Sequence, residues 1–215
     1  MNPKCCLFYL DGVLVDTARF HYLAWKKLAD DLGFIFTETD NERLKGVSRM
    51  DSLDILLQIG KLSPTQEEKN RFAAEKNELY LKYIQKMTPY DLLPGVRNFL
   101  NKIRKKGIKV GLGSASKNAR LILEKTDLTA MFDVIVDGNL ITHAKPDPEV
   151  FTLGAQLAGY ENSACVVFED AVAGIQAAHN AGMKCIGIGS SETLREADKV
   201  FPALSHVRIS DLVFS

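Results

Sequence analysis

Three observations predict an α/β protein: a doubly wound, Rossmann-like parallel sheet with a helical insertion after its first strand. From residue 96 onward, short apolar runs alternate with helix-like runs, the pattern of right-handed βαβ crossovers. One further strand-like run, residues 4–9, stands alone at the start of the chain. Between them, residues 17–88 carry helical periodicity and no strand pattern. With 215 residues and 46% hydrophobic content, the chain can bury a sizeable core. The expected division is a sheet domain of residues 1–16 plus 91–215 and a helical domain of residues 17–90, with linkers near Asp16-Thr17 and residues 90–93.

The first strand (Cys5, Cys6, Leu7, Phe8) delivers the chain to Asp11-Gly12, where glycine allows a sharp turn. Asp11 then lies at the strand's carboxyl end, the edge at which open α/β sheets bind ligands. Phe20, Leu23, Ala24, Leu28 and Leu32 recur at helical spacing and stop at Gly33, a helix C-terminal signal. Ser48-Arg49-Met50-Asp51 reads as a capped helix start ahead of Leu53, Leu56 and Leu57. Ser63-Pro64-Thr65-Gln66 reads as another, with Pro64 at the first helical position. The polar helix it opens runs to about Lys86, and Thr88-Pro89 breaks it. Beyond Pro94-Gly95, helices are expected over 96–106, 117–126, 148–159 and 171–181, with strands over 108–113, 134–136, 164–168 and 184–188. Strands alternating with helices in this way imply a parallel sheet covered on both faces.

Charge narrows the function classes. The 27 basic residues balance the 27 acidic ones, so no net field draws the chain to nucleic acid or an anionic membrane. Arg104-Lys105-Lys106 reads as the solvated face of a helix. No apolar stretch reaches the roughly 20 residues that span a bilayer, and the N-terminus has no signal-peptide pattern. Cys5, Cys6, Cys165 and Cys185 sit in apolar runs without metal-ligand spacing, as buried free thiols of a reducing compartment do. The expectation is a cytoplasmic monomer whose partners are small molecules.

Four strand ends bring polar residues to one edge of the expected sheet. The first brings Asp11. The second is followed by Ser114-Ala115-Ser116-Lys117-Asn118, hydroxyls and helix N-terminal amides suited to a phosphate. The third leads to Lys145-Pro146-Asp147-Pro148, an ammonium at the same edge. The fourth ends in Phe168-Glu169-Asp170, adjacent carboxylates suited to a hard cation such as Mg²⁺. Each has a plain structural reading: Asp11 as a turn residue, Ser116 as an N-cap, Lys145 as a solvated charge, Glu169 and Asp170 as helix-start acids. Their convergence, with cation and phosphate groups side by side, points to phosphoryl transfer.

The order of these motifs, with a helical insertion after the first, resembles the haloacid dehalogenase superfamily. Along nearly its full length the chain resembles that superfamily's β-phosphoglucomutases, and the run Leu44-Lys45-Gly46-Val47-Ser48-Arg49 resembles their substrate-specificity loop. The resemblance implies a catalytic set of Asp11 as general acid and base, Lys145 and Ser114 at the transferring phosphoryl group, and Thr17 at the hinge. It implies substrate contacts from His21, Trp25, Gly46, Val47, Ser48, Arg49, Ser52, Lys76, Ser116, Lys117 and Asn118. It implies Mg²⁺ held by Glu169, Asp170 and the Asp11 carbonyl. The implied reaction converts β-glucose 1-phosphate to glucose 6-phosphate through an aspartyl-phosphate. A closing helical cap would keep water from that intermediate, and the Arg49 guanidinium fork would hold the sugar's other phosphate.

One position departs from the family. Tyr9 stands where the resemblance places the nucleophilic aspartate. A phenol, with a pKa of about 10, is mostly neutral at pH 7. It offers a cation no carboxylate oxygen, and its ring carries the oxygen farther from the backbone. The chain is therefore expected to be inactive, or nearly so, as a mutase. A sugar-phosphate phosphatase and a non-catalytic sugar-phosphate binder are the alternative readings of the same scaffold.

Overall fold

The computed structural model describes residues 2–44 and 48–214. They divide into two compact units, one of Met1–Asp16 with Met87–Ser215 and one of Thr17–Lys86. The sheet unit opens with β1 (Cys5–Phe8). The helical unit contributes α1 (Ala18–Asp31), α2 (Glu38–Glu42), α3 (Arg49–Ile59) and α4 (Gln66–Ile84). The sheet unit resumes with α5 (Val96–Lys105), β2 (Lys109–Gly113), α6 (Ala119–Lys125), β3 (Val134–Val136), α7 (Glu149–Ala158), β4 (Cys165–Glu169), α8 (Val172–Asn180), β5 (Lys184–Ile188) and β6 (Lys199–Phe201). Residues 87–90 thus fall with the sheet rather than with the helices. The chain is stitched back just beyond them, where Val15 bridges Leu92 and the Leu93 N–H donates to the Leu14 carbonyl at 2.9 Å.

All neighbouring strands are parallel, in the order β3-β2-β1-β4-β5-β6. Connections run one way from β1 to β3 and the other way from β4 onward, so β1 and β4 flank the topological switch point. The edge strand β6 was not foreseen, since three half-buried residues give too short a pattern to read. One face of the sheet packs Cys5, Leu7, Val136, Cys165, Val167 and Cys185 against Val150, Phe151 and Ala155 of α7 and Ile175 and Ala178 of α8. On the other face Phe8 and Phe168, opposite each other in register, stack with ring centroids 4.5 Å apart. Phe99 of α5 meets both edge-on at 6.3 and 5.5 Å. Three buried aromatics of this kind contribute several kcal/mol, roughly 2 to 3 each by area. All four cysteines are free and buried, as expected.

The helical unit has its own core, joining Trp25, Leu28 and Ala29 of α1 to Leu53, Leu56 and Leu57 of α3 and Phe72 and Ala73 of α4. The expected cap at Ser48 is present, its hydroxyl accepting from the Asp51 N–H at 3.2 Å. Helix α4 starts later than its sequence suggests. Thr65, not Ser63, is the cap, and Glu68 reaches back to the Thr65 N–H at 2.8 Å. A charged Glu accepts that bond more strongly than the neutral Gln66 that Ser63 would have needed. No helix among the described residues is long and apolar enough to cross a membrane.

Candidate functional site

In the sheet unit the switch point brings Lys145, Glu169 and Asp170 together, with Asp11 beside them. The Tyr9 N–H donates to the Phe168 carbonyl at 2.9 Å, which carries the β1–β4 ladder one residue past β1. The Lys145 ammonium lies 3.5 Å from the centroid of the Tyr9 ring and 5.0 Å from that of Phe151. Contacts of this type contribute about 0.5 to 2 kcal/mol as water is removed from the cation. The same ammonium pairs with Oε1 of Glu169, and that carboxylate is fully buried while the lysine side chain is 11% exposed. Glu169 Oε2 accepts from the Asp170 N–H at 2.9 Å and the Ala171 N–H at 3.2 Å. Three of a carboxylate's roughly four acceptor positions are thereby filled. Gly174 of α8 lies directly behind, and a Cβ there would sit 2.0 Å from the Glu169 carboxyl carbon.

Asp170 is the opposite case. Among the described residues no donor reaches its buried Oδ1. Burial first, then the charge of Glu169, pushes its carboxyl up to about 7, with Lys145 pulling the other way and Asp11 adding to the rise. Gly12, turning with φ +72°, brings the backbone beside it, and a Cβ at that position would be 2.0 Å from Asp170 Oδ2. Only glycine fits both the backbone angle and the approach. Asp11 precedes it, half-buried.

Beyond β2, fully buried Ser114 accepts from the Ser116 N–H at 3.1 Å, and Ser116 accepts from the Asn118 N–H at 3.2 Å. This winds the loop into α6 and leaves Lys117 exposed. His143, Asp147 and Glu149 also bring ligand atoms within 4.8 Å of one another. The Glu149 carboxylate there accepts from the N–H groups of Thr142 and His143 at 2.8 and 2.6 Å, which holds the loop.

The helical unit assembles a second group from α1 and α4. Lys76 is buried, with its Nζ 2.8 Å from His21 Nδ1, 4.4 Å from the Trp25 ring and 4.9 Å from the Tyr80 ring. His21 stacks on Tyr80 at 4.0 Å, and the Tyr80 hydroxyl donates to Thr17 Oγ1 at 3.2 Å. Burial, reinforced by the Arg49 charge, pushes the Lys76 ammonium down to about 7. His21 is held well below the ordinary histidine range by burial and then by the charges of Lys76 and Arg49, so its neutral ring accepts from the lysine. Ser52 is buried, its hydroxyl 3.5 Å from the Leu44 carbonyl, while Ser48 caps α3 and Arg49 begins it, exposed. Gly46 and Val47 lie outside the described residues. Tyr80 and Phe151 escaped the sequence reading. The one available signal was spacing, since Thr17, His21 and Trp25 are four apart, as are Lys76 and Tyr80, and so share helix faces.

Residues 6–188 match the family model of haloacid dehalogenase-like hydrolases. The chain belongs to this family. It is 40% identical over 199 residues to β-phosphoglucomutase of Bacillus subtilis, across 92% of this chain and 88% of that protein. The crystal structure of β-phosphoglucomutase from Clostridium difficile matches it with a TM-score of 0.92 at 39% identity, over 98% of this chain and 95% of that one. A phosphorylated carbohydrates phosphatase of Thermotoga maritima is 31% identical over 186 residues, across 85% and 83% of the two chains. Within the haloacid dehalogenase family, then, the chain is β-phosphoglucomutase-like, and its relatives include both mutases and phosphatases.

Enzymes of this family generally use Mg²⁺. A buried carboxylate oxygen with no donor is what a cation would satisfy. Asp170 fits that requirement, with Gly12 clearing the approach. Glu169, largely taken up by Lys145 and two amides, has little left to give. Tyr9 presents its ring face to Lys145.

Proposed function

We propose that the chain is a sugar-phosphate mutase scaffold, built for the interconversion of β-glucose 1-phosphate and glucose 6-phosphate, whose turnover is nearly abolished by Tyr9. The observation that carries the reading is the grouping at the β1–β4 switch point of the Lys145–Glu169 pair with Asp170, whose buried Oδ1 has no donor among the described residues. That grouping suits a phosphoryl group and its counter-cation, in a chain 40% identical to a β-phosphoglucomutase.

In this reading the Asp11 carboxyl gives a proton to the departing oxygen of the phosphate ester and takes one from the accepting sugar hydroxyl. The Lys145 ammonium, fixed by Glu169, offsets charge on the transferring phosphoryl oxygens. The Ser114 hydroxyl would bind that same group. Asp170 would hold Mg²⁺ with the Asp11 carbonyl, and the cation when bound supplies further charge neutralisation. Within the helical unit, the Arg49 guanidinium is suited to a phosphate as a two-pronged donor, and the His21–Lys76 pair is suited to polar groups of a sugar. What is missing is the acceptor for the phosphoryl group. Loss of a catalytic nucleophile typically costs several orders of magnitude in rate, and the neutral Tyr9 phenol does not replace it.

The test follows β-glucose 1-phosphate with Mg²⁺ and a trace of β-glucose 1,6-bisphosphate, for the chain as it stands and for Tyr9→Asp. Glucose 6-phosphate from Tyr9→Asp, at least about a thousandfold faster than from the parent, is the expected result. Free phosphate in its place would make the scaffold a phosphatase. Comparable mutase turnover with Tyr9 in place would overturn the account of position 9.

A further inference from the structure

A mutase site of this kind needs both a divalent cation and a phosphate group, and the side chains present divide that task unevenly. Hard cations of the Mg²⁺ class are held by anionic oxygens, commonly one or two carboxylates together with oxygens of a bound phosphate. At this sheet edge Glu169 has given Oε2 to two backbone amides and Oε1 to Lys145. Position 9 supplies an aromatic face, already covered by the same ammonium at 3.5 Å. Oδ1 of Asp170 is buried and has no donor among the described residues. One carboxylate plus backbone carbonyls is a weak cation site, because the donor set carries a single negative charge to offset the cost of stripping water from the ion. Phosphate alone is no better placed, since Lys145 is shared with Glu169 and Asp170 adds negative charge when ionised.

We infer that in this chain the divalent cation and the phosphate bind only together, each supplying the charge the other lacks, so that phosphate completes the cation site that Tyr9 leaves short. The inference rests on the proposed reading that a phosphoryl group lodges at this edge. It differs from that reading in concerning binding alone. Coupling between two ligands is reciprocal: the factor by which phosphate tightens cation binding is the factor by which cation tightens phosphate binding. Restoring a carboxylate at position 9 would give the cation its second anionic ligand outright and would place a like charge beside the phosphate. Both changes shrink the coupling.

The measurement is Mn²⁺ binding to the full chain, read as loss of the free-ion electron paramagnetic resonance signal, with and without inorganic phosphate. Asp170→Asn at the same concentrations serves as the reference for Mn²⁺ and phosphate associating in solution. Saturating phosphate should lower the Mn²⁺ dissociation constant about tenfold or more, within the ordinary range of coupling between sites. Tyr9→Asp should bind Mn²⁺ tightly without phosphate and show less than about a threefold effect when phosphate is added. Equal Mn²⁺ affinity with and without phosphate in the parent chain overturns the inference. So does absence of binding in both conditions, or a coupling that survives in Asp170→Asn. If Tyr9→Asp turns over β-glucose 1-phosphate while the parent shows no coupling, the inference falls and the mutase reading stands. Coupling in the parent with no turnover in Tyr9→Asp has the reverse meaning.

Discussion

The two units each bury a lysine, and they do so by opposite means. Lys145 in the sheet unit lies against a fully buried carboxylate and two aromatic faces, so its charge has a counter-charge. Lys76 in the helical unit has the aromatic faces but no carboxylate among the described residues, and a neutral imidazole takes the carboxylate's place. The consequence is visible in its acidity, which burial and Arg49 push down to about 7. A buried ion pair is a closed arrangement that is costly to break and indifferent to small changes in pH. A buried cation without its anion is an open one, stabilised only when an anion arrives. The contrast makes Lys145 part of the fold, whereas Lys76 is carried at a cost to the fold.

The comparison can be broken most easily at Lys145. Lys145→Met leaves Glu169 charged, buried and short of a partner, and should cost about 3 kcal/mol of unfolding free energy in a denaturant titration. Lys76→Met should act with the opposite sign, stabilising the protein at about pH 6 by roughly 2 kcal/mol because it removes an uncompensated buried charge. Equal destabilisation by both substitutions would dissolve the distinction drawn between them.

The pH dependence sharpens it further. With its folded pKa near 7 against about 10.4 when unfolded, Lys76 binds fewer protons folded than unfolded across that window. Stability should therefore rise with pH from about 7 toward about 10, and the advantage of Lys76→Met should shrink over the same range. A flat difference between parent and variant across that range would place the charge of Lys76 elsewhere. The smallest effect is expected at Tyr80→Phe, which removes the donor to Thr17 Oγ1 while keeping the ring that stacks on His21. A loss of about 1 kcal/mol is expected, with the acidity of Lys76, followed by NMR, little changed.

Much of this was legible in the chain because it follows from local pattern. Alternating apolar and helical runs announced a parallel sheet, and Asp11, Ser114, Lys145 and Glu169-Asp170 were read correctly as residues of one strand edge. Direction is a local property: each follows the carboxyl end of its own strand, and parallel strands all point the same way. The capped start of α3 at Ser48 was read for the same reason, as a hydrogen bond closed within four residues. Where local signals competed they misled, as at Ser63 and Thr65, since two overlapping capping patterns each offer a hydroxyl and a residue three positions on that can reach back.

What the sequence by itself determined, then, is the kind of each element, the edge at which its polar residues emerge, and the absence of an acid at position 9. Only the tertiary structure decided how those residues share one another. Glu169 and Asp170 are neighbours with the same chemistry, yet one is filled by Lys145 and two amides and the other buries an Oδ1 with no donor among the described residues. No pattern distinguishes them, because the difference arises from α8 closing on Glu169 at Gly174 and from the β1 turn closing on Asp170 at Gly12. Nor could the chain announce that Tyr9 would lie under Lys145, 136 positions later. Partner choice in a buried site is set by which side chains compete for the same few ångströms, and that competition exists only once the strands are side by side.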